Sequence, residues 1–259
     1  MNKSLWGVFA GVWVLAACVA SPTLASAQSE VKEKPPMYSY VSFWNIPRAD
    51  WGEMAKADAA DQSILEKALS SGTLVGFGND VNLVHQPDGY TNDEWWSSMS
   101  MAGLLNVLEQ FYSSGSATTA VLGKATKHGD GIFVSRYYNW HSGSFKGGYT
   151  HGSSYKLKSD ASDDAVDTLS KSFIVPLMEK MLADGTLHEY EIDTEAVHTQ
   201  APGTFWIFYI CANAEGLDKV NAALRDTLKN SPLSGPAFGS MVDFSVHRDD
   251  LARTNGTYK

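Results

Sequence analysis

The sequence is poor in cysteine, and this excludes two common kinds of site. It contains two cysteines, Cys18 and Cys211. Cys18 lies in an N-terminal leader, so Cys211 would be alone in the mature chain. That chain could then form neither an intramolecular disulfide nor a zinc site built on paired cysteines. Cys211 follows the apolar residues 205–210, which favours a buried thiol that packs as a small hydrophobic side chain.

The sequence also lacks a basic cluster. Its 29 Asp and Glu residues outnumber its 20 Lys and Arg residues, and the formal net charge is -9. Nucleic-acid binding needs a basic face that neutralises phosphates, so this composition argues against a nucleic-acid partner. The usual signatures of nucleotide binding, serine hydrolysis of the α/β type and zinc proteolysis are missing as well.

Residues 1–27 have the features of an export signal. Lys3 gives a basic start, an apolar run follows, and the small residues 25–27 (A-S-A) form a cleavage site. A competing interpretation is a lipobox at L-A-A-C, in which Cys18 would carry a lipid and anchor the protein to a membrane. We predict a periplasmic or secreted protein, with residues 28–36 as a linker and the lipoprotein as the alternative.

The rest of the chain contains an internal duplication. The segment I-L-E-K-A-L-S-S-G-T-L, which begins at position 64, reappears as L-M-E-K-M-L-A-D-G-T-L at position 177. The offset is 185 − 72 = 113 residues for Gly72 and Gly185, and 198 − 85 = 113 residues for His85 and His198. One offset that holds over such a span indicates two copies of one unit.

Hydrophobic periodicity predicts the element order β-α-β-β-α-β in each copy. In the first repeat, which we place at residues 37–130, residues 37–44 alternate and are aromatic, as expected for a strand. Residues 49–71 have helix formers at helical spacing and are followed by Gly72, a typical residue after a helix end.

The second repeat is placed at residues 131–251, with residues 252–259 as a tail. It opens with an aromatic strand at residues 132–140, and residues 141–160 form an inserted loop rich in Gly and Ser. Histidine and aromatic side chains are interleaved with these glycines. The loop is therefore either a lid or wall of a site, or a flexible surface loop.

Two consecutive units of this kind, each opening on an aromatic strand, resemble the dimeric α+β barrel superfamily. Its members include antibiotic-biosynthesis and haem-degrading monooxygenases, chlorite dismutases and dye-decolourising peroxidases. The repeats are also similar to those of uncharacterised bacterial secreted proteins. The resemblance implies an α+β fold in which two tandem ferredoxin-like repeats pack as a pseudo-dimeric α+β barrel. It also implies a monomer, and a pocket between sheet and helices in each half.

Histidines recur in both copies, as His85 and His198 and as His128 and His247. The second pair belongs to a repeated His-x-Asp ending at residues 128–130 and 247–249. Recurrence favours a structural role through hydrogen bonds, and the functional alternative is a general base or a metal or haem ligand. The two pairs should lie at opposite edges of the sheet, so we predict no metal site.

The predicted topology brings some of these residues together. The end of the first strand, at Trp44 and Asn45, should approach His85, and the equivalent residues 139–141 should approach His198. The resemblance associates Asn, Trp and His at this place with cofactor-independent monooxygenases, in which an enolate or phenolate reacts directly with oxygen. We predict catalytic roles for His85, His198, Asn45 and Asn139, and substrate binding by Trp44, Trp140, His141, Tyr149 and His151.

These observations predict an exported protein that binds a small apolar or aromatic molecule in a barrel pocket. One alternative is a cofactor-free or haem-dependent oxidoreductase of the monooxygenase or peroxidase type, for which haem is the possible cofactor. The other alternative is a non-catalytic envelope or stress protein. The oxidoreductase requires that His198 or His85 faces an open cavity with a displaced pKa, and a buried, hydrogen-bonded imidazole would count against it.

Overall fold

Aromatic and small side chains alternate along the first strand, and this alternation gives the strand two different faces. The computed structural model describes residues 31–87, 89–230 and 234–259. Its first strand, β1, spans Met37–Asn45. The predicted leader, residues 1–27, lies outside the described residues together with the first part of the predicted linker.

The described chain contains both strands and α-helices. The strands are β1, β2 (Gly76–Asn82), β3 (Asn92–Ser98), β4 (Lys127–Trp140), β5 (Ser144–Phe145), β6 (Tyr149–Leu157), β7 (Leu187–Glu195), β8 (Thr204–Cys211) and β9 (Val242–Tyr258). The α-helices are α1 (Met54–Ser70), α2 (Met101–Ser114), α3 (Ala165–Leu169), α4 (Val175–Ala183), α5 (Ala214–Asn230) and α6 (Ser234–Met241). No helix among the described residues is long and apolar enough to cross a membrane.

Eight strands close into one antiparallel barrel. Their hydrogen-bonded order is β2-β3-β1-β4-β7-β8-β6-β9, and β9 pairs back with β2. The predicted fold class, two tandem ferredoxin-like repeats packed as a pseudo-dimeric α+β barrel, is therefore wrong. The physical reason is β4, a single strand of 14 residues. Its first part pairs with β1 and its second part pairs with β7, so the sheet continues without a break.

The continuity of β4 also changes the predicted elements around it. The boundary predicted between residues 130 and 131 falls inside β4, and the strand predicted at residues 132–140 is the second part of β4. The predicted inserted loop contains β6, which pairs with β8 and β9. Glycine is needed in β6 because a Cβ atom at Gly152 would come within 2.6 Å of the Phe208 ring. The interpretation of residues 141–160 as a lid or a flexible surface loop is wrong for this segment, whereas the alternative of a wall of a site is not, because Thr150 and Gly152 line a cavity.

Helices pack against the outer face of the barrel. Trp96 of β3 is 1% exposed, stacks on Tyr40 of β1 with ring centroids 4.5 Å apart, and meets Phe111 of α2 edge to face. Ser100 caps the start of α2, and its Oγ accepts a hydrogen bond from the Gly103 amide at 3.0 Å. The packing of α2 on β1 and β3 forms one side of the cleft described next.

Candidate functional site

Two cavities lie on either side of the barrel wall. The outer cleft, with a volume of about 300 Å³, lies between the outer face of the sheet and α2, and its lining includes Tyr40, Ser42, Trp44, Trp96, Phe111 and His128. The barrel cavity, of about 240 Å³, is lined by inward-facing side chains that include Val41, Phe43, Asp80, Trp95, Asp193 and Trp206. Pockets for drug-sized ligands measure about 300–1,000 Å³, so the outer cleft is large enough for a small aromatic molecule.

Strands β1 and β4 position the polar side chains of the outer cleft. Their antiparallel register pairs Ser42 with Asp130 and Trp44 with His128. Side chains two residues apart on a strand share a face. All four side chains therefore point to the helix side of the wall, and all four line the cleft.

Ser42, His128 and Asp130 form a hydrogen-bonded set. The Nε2 atom of His128 lies 3.2 Å from Oδ1 of Asp130 and 3.4 Å from Oγ of Ser42. Ser42 also donates a hydrogen bond to Asp130, and the Trp44 ring stacks on the imidazole at 5.3 Å. Asp130 can stabilise a protonated imidazole, and the His128 side chain is 48% exposed, so a bound molecule can reach it. These are the requirements for a general base.

Two buried acids form the polar floor of the cleft. Asp61 is 4% exposed and Glu94 is 8% exposed, and Oδ1 of Asp61 has no hydrogen-bond partner in the described part of the chain. Burial raises the pKa of both carboxyl groups, and the charge of Asp61 raises the pKa of Glu94 further. A carboxylic acid that stays protonated can donate a hydrogen bond to an oxygen atom of a bound molecule.

In the first half, one of the predicted residues lines the outer cleft and two others are not among the described residues that line it. Trp44, predicted to bind substrate, is part of the lining. Asn45 donates from Nδ2 to the carbonyl oxygen of Gly89 at 2.7 Å, so the end of β1 does approach the β2–β3 connection as predicted. His85 is exposed and stacks on Trp51 at 4.9 Å. The catalytic roles of His85 and Asn45 stay predictions.

In the second half, the predicted grouping around His198 is wrong. Trp140 lies opposite Glu189 near the start of β7, whereas His198 follows the end of β7 and is exposed. The two ends of β7 keep these residues apart. Asn139 instead donates from Nδ2 to both carboxylate oxygens of Glu179, at 2.9 Å and 3.0 Å, an arrangement that ties β4 to α4.

The remaining predicted residues pack against other protein groups. Nε2 of His141 lies 3.0 Å from the carbonyl oxygen of Leu182, and the His151 ring stacks on Tyr209 at 4.9 Å. Burial lowers the pKa of His151. Tyr149 is half-buried on β6. None of the three is among the described residues that line the two cavities, and their binding roles stay predictions.

Sequence reasoning missed Ser42 and gave too little weight to His128. A signal was available, because the second half contains the same arrangement. Ser153 donates to Oδ1 of Asp249 at 2.7 Å, Nε2 of His247 lies 3.2 Å from Oδ2 of Asp249, and the His247 ring stacks on Tyr155 at 4.4 Å. A Ser-x-aromatic strand paired with a His-x-Asp strand thus occurs twice, and this recurrence could have identified the set.

Comparisons with known proteins find a similar fold among solved structures. No protein-family model and no curated protein matches this sequence. A solved structure of a "putative monooxygenase" from Lactobacillus acidophilus is 12% identical, with a TM-score of 0.59, and the match covers 87% of this chain and 97% of the other. An anthrone oxidase-like protein is 11% identical, with a TM-score of 0.52 and coverages of 87% and 93%.

Chlorite dismutase from Candidatus Nitrospira defluvii, in complex with imidazole, is similar as well. It is 12% identical, with a TM-score of 0.52 and coverages of 84% and 90%. These neighbours are members of the dimeric α+β barrel superfamily, the group that the sequence resembles. At such low identities the likeness concerns the fold alone.

Proposed function

We propose that the outer cleft binds a small aromatic molecule with an acidic hydroxyl group and that the protein oxidises it with molecular oxygen, as a cofactor-independent oxidoreductase of the monooxygenase type. The observation that carries this proposal is the Ser42–His128–Asp130 set in the wall of an aromatic cleft. Structural neighbours described as a monooxygenase and as oxidase-like support the reaction class.

The cleft provides a group for each step of such a reaction. The substrate ring packs against Trp44, and His128 accepts the proton of its hydroxyl group while Asp130 stabilises the imidazolium. The resulting electron-rich anion reacts with O₂ at a methylene carbon conjugated with the ring. One oxygen atom becomes a carbonyl oxygen, and the other leaves as water with the two methylene hydrogens. The substrate supplies all four electrons, so the balance needs no further reductant.

A haem-dependent version of the function is the alternative. Haem, if bound, would supply oxygen chemistry at an iron atom held by a side chain such as histidine. His128 is the histidine that lines the outer cleft, and its Nε2 atom already faces Asp130 at 3.2 Å. His85 and His198 are exposed and are not among the described residues that line the cleft. This geometry favours the cofactor-free reaction.

Oxygen uptake with a panel of hydroxylated anthrones and polyphenols tests the proposal. General-base catalysis contributes about 10²- to 10⁴-fold, so His128→Gln should lower kcat by at least about 100-fold. It should retain substrate binding, measured by tryptophan fluorescence. His247→Gln, which changes the counterpart in the second half, is the matched control and should keep its activity. Export stays a separate prediction, because residues 1–27 lie outside the described residues.

Two outcomes would contradict this function. Equal activity of wild type and His128→Gln would remove His128 as the base. Substrate binding without oxygen uptake would reduce the cleft to a binding site. A Soret band that saturates on haem addition and is lost in His128→Gln would favour the haem-dependent alternative over the cofactor-free reaction.

A further inference from the structure

The barrel cavity is strongly acidic. All eight strands of the barrel contribute to its lining. Six of the lining side chains are carboxylates, namely Asp80, Asp93, Glu189, Glu191, Asp193 and Asp250. No lysine or arginine is found among the described residues that line the cavity. Such an excess of negative charge inside a barrel is costly unless protons or cations compensate it.

One ammonium group of the protein itself is already bound by carboxylates of this cavity. Lys259, which follows β9, has a side chain that is 0% exposed, and its Nζ atom lies 2.7 Å from Oε1 of Glu189. The same atom lies 3.4 Å from Oε1 of Glu191. It also lies 4.7 Å from the ring centroid of Trp95 and 4.5 Å from that of Trp140. Two carboxylates and two aromatic faces thus surround one alkylammonium group at this end of the cavity.

Asp193 and Asp93 lie outside this group of ion pairs. Asp193 is 2% exposed, lines the cavity, and has an Oδ1 atom without a hydrogen-bond partner among the described residues. Burial, followed by the negative charge of Glu191, raises the pKa of Asp193 well above its ordinary value. Burial and the charge of Asp80 do the same to the pKa of Asp93. A second positive charge in the cavity would offset the negative charges around Asp193 and Asp93 and stabilise their ionised forms.

The aromatic part of the lining gives the ligand its apolar wall. The Phe133 ring meets Trp206 edge to face at 5.0 Å and Phe208 at 6.3 Å, and all three line the cavity. Aromatic faces attract organic cations, most strongly when the pair is desolvated. The described residues contain no group of three or more side chains that could hold a metal ion, so this surface suits an organic ammonium better than a metal.

We propose that the barrel cavity is a binding site for a small organic amine. Asp193, with the neighbouring carboxylates, holds the ammonium group, and the rings of Phe133, Trp206 and Phe208 pack against the apolar body. The site is separate from the outer cleft and does not rest on the function proposed for it. A bound amine would make the same kinds of contact, to carboxylates and aromatic rings, that the Lys259 ammonium group makes at Glu189 and Glu191.

Calorimetric titration of the full chain at pH 7.5 tests this site with three probes of the same shape. The probes are 2-phenylethylamine, its neutral isostere 2-phenylethanol and the anion 3-phenylpropionate. The amine should bind saturably at one site, with a change in tryptophan fluorescence because Trp95 and Trp206 line the cavity. The alcohol and the anion should bind at least about tenfold more weakly, since a lost charge-assisted contact costs more than about 1.4 kcal/mol.

Variants then locate the bound amine. Asp193→Asn keeps the shape of the side chain and should weaken amine binding at least about tenfold. Asp226→Asn, at an exposed position on α5, and His128→Gln in the outer cleft should leave it unchanged. If Asp193→Asn does not fold, Asp93→Asn serves the same purpose. Equal binding of amine and alcohol, no saturable binding of the amine, or unchanged affinity in the folded cavity variant would each overturn the proposal.

Discussion

The substitution Lys259→Met removes the ammonium group that contacts Glu189 and Glu191 inside the barrel. Methionine keeps an unbranched apolar chain between Trp95 and Trp140, so most of the packing remains and the charge is lost. Removing one partner of a buried ion pair typically destabilises a protein by about 3–5 kcal/mol, because the other charge stays buried without compensation. We expect a loss of this size at pH 8.

The loss should depend on pH in a definite direction. The positive charge of Lys259 lowers the pKa of Glu191, which burial nevertheless raises to about 7. Without the ammonium group the pKa of Glu191 must rise further. A carboxyl group whose pKa is higher in the folded state than in the unfolded state stabilises the fold at low pH and loses this contribution as the pH rises. At pH 5 Glu191 of the variant is protonated, so the loss should be smaller than at pH 8.

Urea denaturation of both proteins at pH 5 and pH 8 measures the two differences in free energy of unfolding. Lys180→Met, at an exposed position of α4, is the control and should change stability by less than about 0.5 kcal/mol. Adding Glu189→Gln to Lys259→Met should recover part of the loss at pH 8. An equal loss at both pH values would show that Lys259 acts by packing alone and would refute the electrostatic reasoning.

Three further predictions concern stability, each measured by urea denaturation. The free energy of unfolding of the wild type should fall between pH 5 and pH 8. Glu191→Gln should remove about 3 kcal/mol of this decrease, because the pKa of Glu191 is raised from 4.5 to about 7 in the folded protein. A pH profile of the variant equal to that of the wild type would contradict the role of Glu191. Trp96→Ala should cost about 3–5 kcal/mol, because this residue is 1% exposed; a cost below about 1 kcal/mol would contradict its place in the core. Gly115→Ala should cost about 1–2 kcal/mol because φ is 80° after α2, whereas Gly123→Ala, at an open position without positive φ, should cost less.

The local elements could be predicted from the sequence because their signals are local. The alternation at residues 37–44 predicts β1, which spans Met37–Asn45. The predicted helix end before Gly72 is close to the observed end of α1 at Ser70, and Gly72 has a φ of 74°. Periodicity and glycine conformation depend on neighbouring residues, and these are visible in the sequence.

Barrel closure and the site could not be predicted in the same way. Closure depends on the pairing of Phe77 with Tyr258, residues that are far apart in sequence and have no local signal. Strand β6 was not predicted, because Gly152, which is needed beside the Phe208 ring, is a residue type that is also typical of loops. The Ser42–Asp130 contact joins residues 88 positions apart, so it follows only once the β1–β4 register is known.

The alternation of side chains along β3 links the two cavities electrostatically. Glu94 faces the outer cleft and Asp93 faces the barrel cavity, and the negative charge of Asp93 contributes to the raised pKa of Glu94. An amine bound near Asp93 would offset that charge and lower the pKa of Glu94. The protonated acid in the floor of the cleft would then ionise at a lower pH. A saturating amine in the barrel cavity should therefore move the basic limb of the pH profile of cleft binding to lower pH, although the two ligands never share a surface.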